Sequence, residues 1–329
     1  MTEVHEHAVA DTAVDVAARM LGVRAQRAVP LGPLTTYRVG GAAALFVRPR
    51  DVSELDEVAA ACRATGLPVL VVGRGSNLLV ADQGFTGVAV SLAGWQEDRD
   101  HDIVIDDLTV DAGASVALPM LARRTAASGL SGFEWAVGVP GSVGGGVRMN
   151  AGGHGSDMAA SLIDVDLYDV RRGERVVLRA DGLGLRFRGS DLSDNQIVLR
   201  ARLALQRGDR QAGEERIDAI VRWRREHQPG GQNAGSVFVN PVPGHVTAGE
   251  LIDRCGLRGM RLRTAHISDK HANFIQADEG GAAADVLALI ETVRARVADE
   301  TGHLMRSEVR LVGFPGMDDQ HVDLQGVSW

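Results

Sequence analysis

Residues 132–155 of the chain read GFEWAVGVPGSVGGGVRMNAGGHG, and nine of these residues are glycine. The apolar residues between the glycines follow neither a helical nor a strand period. Each glycine inside a helix costs about 1 kcal/mol relative to alanine, so this composition predicts a loop system. Glycine also lets the main chain approach a ligand without a Cβ atom in the way. Tight turns between strands would explain one or two of the glycines, but their number favours main chain wrapped around a large, phosphate-bearing ligand.

Composition restricts the class of protein. A chain of 329 residues is long enough for about two domains, and 45% hydrophobic with 24% charged residues is typical of a soluble globular protein. A net charge of −8 argues against nucleic acid and anionic membranes as partners. Cys62 and Cys255 cannot form a disulfide framework, and no signal peptide or spanning helix is visible. We therefore expect a protein of the reducing cytoplasm.

Helical and strand patterns alternate along the chain, which predicts helices layered on sheets. In the first helix after a strand, Ser53 is the candidate N-cap and Gly66 the stop signal. Helices are predicted at 11–20, 53–65, 118–128, 214–226 and 282–301. Strands are predicted at 44–47, 68–72, 78–80, 88–92, 104–105, 108–112, 163–169, 174–179, 197–206 and 308–311.

A second glycine motif, GRGSNLLV, occupies Gly73–Val80. It is not a dinucleotide-binding fingerprint, because Leu78 stands where the third glycine belongs and no helix follows. Alone, it predicts a hairpin turn. Together with Gly138–Gly146, it predicts a second main-chain wall around the same ligand.

Three polar residues outside the glycine motifs are candidates for chemistry, although each also has an ordinary structural explanation. Ser236 in NAGSVFVNP could be a turn serine, Arg188 in LRFRGS a solvated arginine, and Glu308 in RSEVRLVG a carboxylate at a strand end. No Gly-x-Ser-x-Gly elbow is present, which argues against hydrolysis by this serine. The segment HISDKHANFIQ lacks the ligand spacing of a zinc site, so we expect no metal.

Taken in order, the motifs resemble the UDP-N-acetylenolpyruvoylglucosamine reductase family over about residues 30–313. The motifs are TTYRVGG (35–41), GRGSNLLVADQGFTGVAV (73–90), GVPGSVGGGVRMNAG (138–152), FRGS (187–190), NAGSVFVNP (233–241), LIDRCGLRG (251–259), SDKHANFI (268–275) and SEVRLVG (307–313). Each motif is weak alone, and the order of all eight makes the resemblance specific.

The resemblance implies an α+β fold: an FAD-binding domain of the vanillyl-alcohol-oxidase type in two subdomains, followed by a C-terminal α+β substrate domain. We place the FAD-binding region at 1–207, with subdomains at 24–93 and 94–207, the substrate domain at 208–313, and a tail at 314–329. The chain resembles the shorter class of the family. The implied cofactor is FAD, with NADPH as reductant. The implied FAD-binding residues are Tyr37, Gly73, Arg74, Gly75, Ser76, Asn77, Leu78, Gly138, Val139, Pro140, Gly141, Ser142, Gly145, Asn150 and Ala151.

The family reaction is the reduction of UDP-N-acetylglucosamine enolpyruvate to UDP-N-acetylmuramate in peptidoglycan precursor synthesis. Arg188, Ser236 and Glu308 match the family's catalytic motifs. The arginine would stabilise charge on the substrate carboxylate and the serine would protonate the adjacent carbon. Glu308 would be protonated or paired with a cation, for which Arg188 is the candidate. Implied substrate-binding residues are Arg225, Asn240, Lys270, His271 and Asn273, with Arg222 and Arg224 as further candidates for the diphosphate.

The chain departs from the family motifs at three positions. Val239 and His227 stand where lysines are usual, and Gln276 replaces an asparagine. All three departures lie on the substrate side, so two alternatives stay open. One is a flavin oxidoreductase of the same superfamily that acts on another substrate, and the other is a flavin-binding relative without turnover. We expect a cytoplasmic monomer with a small nucleotide-sugar substrate and no nucleic-acid or membrane partner.

Overall fold

The computed structural model describes residues 13–95, 103–242 and 244–316, and these divide into two compact units. Unit 1 contains the described residues up to Val29, Ala44–Gly75, and those of Thr86–Gln228. Unit 2 contains Pro30–Ala43, Ser76–Phe85 and the described residues from Pro229 onward.

Each predicted helix and strand has a counterpart among the described residues, and the structure contains further short elements that were not predicted. The α-helices are 13–21 (α1), Val52–Thr65 (α2), Leu118–Ala127 (α3), Val143–Arg148 (α4), Arg210–His227 (α5), Ala248–Arg254 (α6) and Ala283–Thr301 (α7). The 3₁₀ helices are Gly22–Arg24, Gly32–Leu34, Leu92–Gly94, Glu134–Gly138, Met158–Ala160 and Ala180–Leu183. The strands are Gln26–Pro30 (β1), Ala42–Val47 (β2), Val69–Val71 (β3), Leu78–Val80 (β4), Phe85–Val90 (β5), Ile103–Asp106 (β6), Thr109–Gly113 (β7), Leu130–Ser131 (β8), Gly152–Gly153 (β9), Ser156–Asp157 (β10), Leu162–Asp169 (β11), Glu174–Arg179 (β12), Gln196–Ala204 (β13), Gln206–Arg207 (β14), Arg261–Leu262 (β15), Ala265–Ile267 (β16), Ile275–Ala277 (β17) and Arg310–Val312 (β18).

Unit 1 is built on two sheets. A four-stranded sheet has the order β1-β2-β5-β3, and a five-stranded antiparallel sheet has the order β12-β11-β13-β7-β6. One side of the second sheet carries ion pairs between neighbouring strands, among them Arg175 with Asp166 and Arg200 with Asp111. Apolar residues of the strands and helices form a continuous core that includes Val165 and Leu199.

Helix α5 belongs to unit 1, whereas the predicted substrate domain began at residue 208. The helix packs on α3 and on the 3₁₀ helix Glu134–Gly138. A Cβ at Gly213 of α5 would lie only 3.2 Å from Ala126 Cβ of α3, so glycine allows this close approach. The compact units therefore differ from the predicted domain bounds, and the assignment of functions to 1–207 and 208–313 stays a prediction.

The glycine-rich stretch is not entirely loop, contrary to the expectation from composition. Glu134–Gly138 is a 3₁₀ helix and Val143–Arg148 is a short α-helix that contains three glycines. Packing explains two of them: a Cβ at Gly146 would lie 2.9 Å from Met158 Cε, and one at Gly144 would lie 3.0 Å from Ala114 Cβ. Close tertiary packing thus outweighs the low helix propensity of glycine here.

Unit 2 combines a three-stranded sheet, β15-β16-β17, with α7 packed against it, and a parallel pair of β4 with β18. Gly40 and Gly41 of TTYRVGG are required by close approach: a Cβ at either position would lie 2.3 Å from a main-chain oxygen, of Val80 and of Asp82 respectively. Phe314, placed in the tail by the prediction, is only 6% exposed and belongs to the core of this unit. Residues 317–329 of the predicted tail lie outside the described residues.

Helix α6 was not predicted, although a sequence signal for it exists. Thr247 and Glu250 form a capping box, in which each side chain accepts a hydrogen bond from the other residue's main-chain N–H. The pattern Thr-x-x-Glu before an apolar residue is typical of a helix start. The helix is only seven residues long, too short for its hydrophobic period to be recognised.

Helix α2 is capped by Asp51 and not by Ser53. Asp51 has extended φ and ψ and accepts a hydrogen bond from Glu54 N–H at 2.9 Å, whereas Ser53 already lies inside the helix. The Glu54 carboxylate in turn accepts hydrogen bonds from Arg50 and pairs with Arg24. The hydrogen bond from the Arg50 side chain is the main reason why the pKa of Glu54 is lowered to about 2, despite burial of the carboxyl group.

We expect Glu54→Gln to lower the melting temperature of the apoprotein in a pH-dependent way. The folded-state pKa lies below the ordinary value of 4.5, so the carboxylate contributes stability above about pH 4.5 and loses it as the pH falls toward 2. The difference between wild type and variant should be constant from pH 8 to 5 and shrink below 4.5. Thermal melts across this range test it, with the exposed Glu174→Gln as control. A difference independent of pH would show that packing, not charge, is what the variant loses.

Asp82 of the motif GRGSNLLVADQG caps α7. The helix begins after Ala282, which has no side-chain acceptor, and Asp82 accepts hydrogen bonds from Ala283 N–H at 2.8 Å and Ala284 N–H at 3.0 Å. We expect Asp82→Ala to reduce the free energy of unfolding by about 1–2 kcal/mol, because two N–H groups at a helix start lose a charged acceptor. Urea unfolding of the apoprotein measures this. Asp181→Ala, at a carboxylate that is 78% exposed, is the control and should change little.

Candidate active site

The two predicted glycine walls meet within unit 1. A Cβ at Gly73 would lie 2.7 Å from Ser142 Oγ, and one at Gly145 would lie 3.5 Å from the same atom. Gly75 has φ +60°, a left-handed conformation that favours glycine. Gly73 of the GRGSN segment therefore lies in close contact with Ser142 of the VPGSVGG segment. That the two segments form two sides of a cofactor site stays a prediction.

The segment that contains Gly141 and Ser142 is held by main-chain hydrogen bonds. Leu118 N–H donates to Gly141 O at 3.0 Å, and Val143 N–H donates to Val116 O at 2.9 Å. An isolated bridge pairs Ala117 with Ser142. This wall is consequently anchored to the start of α3, while Pro140 at its tip is exposed.

Asn150 holds the end of the glycine stretch in place. The residue is buried, has φ +40°, and donates from Nδ2 to Asp157 and to Arg186 O, while its Oδ1 accepts from Ala159 N–H. Both N–H groups of the amide are committed to these partners. The Asn150 side chain thus fixes the main chain beside Ala151, and its contact with the cofactor stays a prediction.

Arg188 is presented by a tight turn in unit 1. Arg186 and Gly189 exchange main-chain hydrogen bonds around it, and Arg188 itself has φ +58°. Its Nη2 donates to Gly152 O at 2.9 Å, and its Cζ lies 4.7 Å from the ring centroid of Phe187. Left-handed φ at a residue with a side chain is strained and is concentrated at functional sites. This conformation agrees with the catalytic role of Arg188, which stays a prediction.

Ser236 follows a turn in unit 2. Gly235 has φ +80° and donates its N–H to Asn233 Oδ1, and the hydroxyl-bearing residue comes directly after it. The next residue, Val237, donates its N–H to Asn273 O at 2.8 Å and accepts at its own oxygen from Glu308 N–H at 2.7 Å. The structure thus places Ser236 and Glu308 on adjacent, hydrogen-bonded segments of the same unit.

Asn77 joins this group from the GRGSN motif. Its Nδ2 donates to Glu308 O at 2.8 Å, and its main-chain oxygen accepts from Arg310 N–H at 3.0 Å. Leu78, the next residue, pairs with Arg310 in the parallel β4–β18 ladder. The end of this predicted FAD wall therefore positions one of the three predicted catalytic residues.

Two of the predicted substrate-binding asparagines mainly organise this region. Asn273 is 4% exposed, and its amide bonds both Phe238 N–H and Phe238 O, at 2.9 and 2.8 Å. Asn240 Oδ1 accepts from Ala248 N–H, the first residue of α6. The Asn273 side chain therefore holds the segment that follows Ser236, and its contact with the substrate stays a prediction.

The other predicted substrate-binding residues are more accessible. Lys270 and Arg225 are exposed, and His271 is partly buried with its ring edge-on to Phe274 at 4.8 Å. His271 Nδ1 accepts from Asn273 N–H at 3.2 Å, so a neutral ring carries its proton on Nε2.

Tyr37 lies entirely in the core of unit 2, and among the described residues its hydroxyl has no hydrogen-bond partner. Burial raises the pKa of this hydroxyl, which therefore stays protonated. Thr36 Oγ1 is a second buried oxygen without a partner in the described part of the chain. Buried polar atoms are normally paired, so these two atoms are suited to contact a bound group.

A cluster of three aromatic rings at the end of α5 was not predicted from the sequence. Trp223 stacks on His227 with centroids 4.8 Å apart and an angle of 13° between the planes, and it meets His154 edge-on at 5.2 Å. The spacing Trp223-x-x-x-His227 puts both rings on one helix face and was the available signal.

Two absences follow from the described residues. Within them, no three His, Cys, Asp or Glu side chains are grouped so that they could hold a metal ion. No helix in the described ranges has both the length and the apolar character needed to cross a membrane.

Comparisons with known proteins agree with this geometry. Residues 43–182 match the family model of the FAD binding domain, and residues 227–312 match that of the UDP-N-acetylenolpyruvoylglucosamine reductase C-terminal domain. The reductase of this name from Heliobacterium modesticaldum is 43% identical over 293 residues, covering 87% of this chain and 90% of that protein. Its counterpart from Gloeobacter violaceus is 40% identical over 291 residues, covering 88% and 96%.

Among solved structures, the crystal structure of UDP-N-acetylenolpyruvylglucosamine reductase from Thermus caldophilus is similar, with a TM-score of 0.73 and 36% identity. The match covers 88% of this chain and 99% of that one. This chain belongs to the UDP-N-acetylenolpyruvoylglucosamine reductase family.

Proposed function

We propose that the protein reduces UDP-N-acetylglucosamine enolpyruvate to UDP-N-acetylmuramate, with FAD as cofactor and NADPH as electron donor. The observation that carries this proposal is the match to reductases of that name over nearly the whole chain, with Arg188, Ser236 and Glu308 all present in their motifs. The protein then acts in the cytoplasm as a monomer on a soluble nucleotide sugar.

The residues fit FAD. A Cβ at Gly73 would lie only 2.7 Å from Ser142 Oγ, and the buried hydroxyl of Tyr37 lacks a protein partner among the described residues. Residues of both walls would hold the cofactor mainly through main-chain groups. When bound, FAD accepts hydride from NADPH and delivers it to the enolpyruvyl double bond.

Arg188 stabilises the negative charge that develops on the substrate carboxylate when the double bond is reduced. A guanidinium presents two parallel N–H donors to a carboxylate, and it is most effective when it is already held in place. The turn around Arg188 and its bond to Gly152 O supply that preorganisation. The stacking on Phe187 restricts the side chain further.

Ser236 protonates the carbon next to the carboxylate. A hydroxyl is a weak acid, so this step needs a strongly basic acceptor, which an enolate-like intermediate provides. The hydrogen bonds from Asn273 to the neighbouring strand set the position of the serine. Glu308 holds the same region of the site, either protonated or paired with a cation.

Exposed cations bind the nucleotide part of the substrate. Lys270 is the only lysine of the chain, since every other basic position outside the histidines is an arginine. A compact ammonium is not interchangeable with a planar guanidinium, which supports a specific role for Lys270. Arg225 and His271 are the other candidates for this ligand.

The test separates the two half-reactions. The purified protein is reduced anaerobically with NADPH, and UDP-N-acetylglucosamine enolpyruvate is then added while the flavin spectrum is followed. We expect bleaching and then return of the oxidised spectrum. Bleaching without return would exclude this substrate and would point to Val239 as part of the divergence; a colourless protein would exclude the flavoenzyme altogether.

A further inference from the structure

Helix α5 carries a partly buried guanidinium without an acidic partner. Among the described residues no carboxylate forms an ion pair with Arg224. Burial lowers the pKa of Arg224, and no carboxylate counters this effect. Charges removed from water are normally paired, so an unpaired guanidinium in such a place is suited to an anionic ligand.

Arg224 lies directly against the glycine wall. A Cβ at Gly138 would lie 3.5 Å from Arg224 Cδ, 3.5 Å from His154 Nε2 and 3.3 Å from Ile220 Cγ2. Gly138 does not have positive φ, and the tightest contact of a Cβ here would be with Ile220 of α5, whereas Arg224 and His154 lie at ordinary contact distance. The side chain of Arg224 therefore passes beside Gly138, the first glycine of GVPGS.

His154 lies beside Arg224 at Gly138, and two further rings continue from it along α5. His154 and Trp223 are in edge-on contact, and Trp223 is stacked on His227. The pKa of His154 is lowered by burial first and by the charge of Arg224 second, so that this imidazole is neutral at neutral pH. No ring of this cluster carries negative charge.

His227 is held by the same cluster. Its Nδ1 lies 2.8 Å from Trp223 O, and because a carbonyl only accepts, Nδ1 carries a proton. The resemblance led us to expect a lysine at this position. A stacked imidazole is shorter than a lysine side chain and is fixed in orientation, which leaves Arg224 as the permanent cation beside Gly138.

We propose that Arg224 binds a phosphate group of a nucleotide at the glycine wall, beside the ring cluster of His154, Trp223 and His227. This inference rests on the proposed function, since its three nucleotides, FAD, NADPH and the nucleotide sugar, share the diphosphate that a guanidinium recognises. It deepens that function by assigning phosphate binding to Arg224, on a helix where His227 stands in place of the usual lysine.

The test compares Arg224→Met and Arg224→Lys with Arg216→Met, an exposed arginine eight residues earlier on α5. The probes are FAD added to apoprotein, and NADP⁺ and UDP added to the holoenzyme, each followed by fluorescence or calorimetry. We expect Arg224→Met to bind one probe about 10- to 100-fold more weakly, as for a lost hydrogen bond to a charged group. The affected probe identifies which phosphate is bound. Arg224→Lys should lose less affinity for the same probe, since lysine keeps the positive charge but lacks the two parallel N–H donors of the guanidinium.

Melting of the ligand-free apoprotein separates a binding role from a structural one. Removal of an unpaired, partly buried charge should leave the melting temperature of Arg224→Met equal to or above that of the wild type. Unchanged affinity for all three probes would overturn the proposal, as would equal weakening of all three with a lowered melting temperature. None of the probes contains the enolpyruvyl group, so failure of the proposed reaction would not affect this outcome.

Discussion

Ser236→Ala is expected to leave the reduction of FAD by NADPH unchanged and to slow reoxidation by UDP-N-acetylglucosamine enolpyruvate about 10²- to 10⁴-fold, the usual contribution of a positioned general acid. The variant removes only the hydroxyl. Gly235, Val237 and the bonds from Asn273 and Glu308 that hold this segment involve main-chain atoms, which alanine retains. Anaerobic stopped-flow spectroscopy of the two half-reactions gives both rates directly.

Two further variants make the Ser236 result specific. Ser236→Cys keeps a proton donor of similar size and should recover part of the reoxidation rate. Ser53→Ala, at an exposed position of α2, should have the same rates as the wild type in both half-reactions. If Ser236→Ala were reoxidised at the wild-type rate, the proton would come from another donor and the assignment would be wrong.

Arg188→Lys is expected to lower the rate of the same half-reaction about 10²- to 10³-fold, the range for loss of one group that stabilises developing negative charge. Lysine keeps the positive charge and also has a Cβ, so the backbone strain at φ +58° is unchanged. The loss of rate therefore measures the contribution of the two parallel N–H donors of the guanidinium. The rate of FAD reduction by NADPH should stay within about twofold of wild type.

The control for this variant is Arg179→Lys, at an exposed arginine at the end of β12. It should have no effect on either rate, because an exposed pair with Asp181 contributes little. Equal reoxidation rates for Arg188→Lys and wild type would mean that any cation suffices and that bidentate recognition of the carboxylate is not used.

Local signals in the sequence were sufficient for most helices and strands. β12 begins and ends as predicted, and α5 and α7 were found by their period and polar ends. The same kind of signal misplaced the cap of α2, since Asp51 and Ser53 are both good N-caps and only the observed φ and ψ distinguish them. Local patterns therefore identify elements better than they identify ends.

The roles within the site depended more on tertiary contacts. Asn150 and Asn273 stand in motifs that predict ligand contact, and the side-chain amides of both form hydrogen bonds within the protein. Asp82 stands in a cofactor motif and caps a helix some 200 residues away in the chain. Motif membership did not distinguish these roles, because a residue that holds the site and one that touches the ligand occupy the same motif.

The order of eight motifs in the sequence by itself determined the family, the FAD-binding character and the identity of the candidate catalytic residues Arg188, Ser236 and Glu308. Only the tertiary structure decided that three glycines form part of α4, that Gly73 and Ser142 lie in close contact, and that Arg224 lies beside Gly138 with no carboxylate partner among the described residues. The physical reason is the distance along the chain over which each property is determined. A motif consists of neighbouring residues, whereas packing, burial and the pairing of charges depend on segments that are far apart in the sequence.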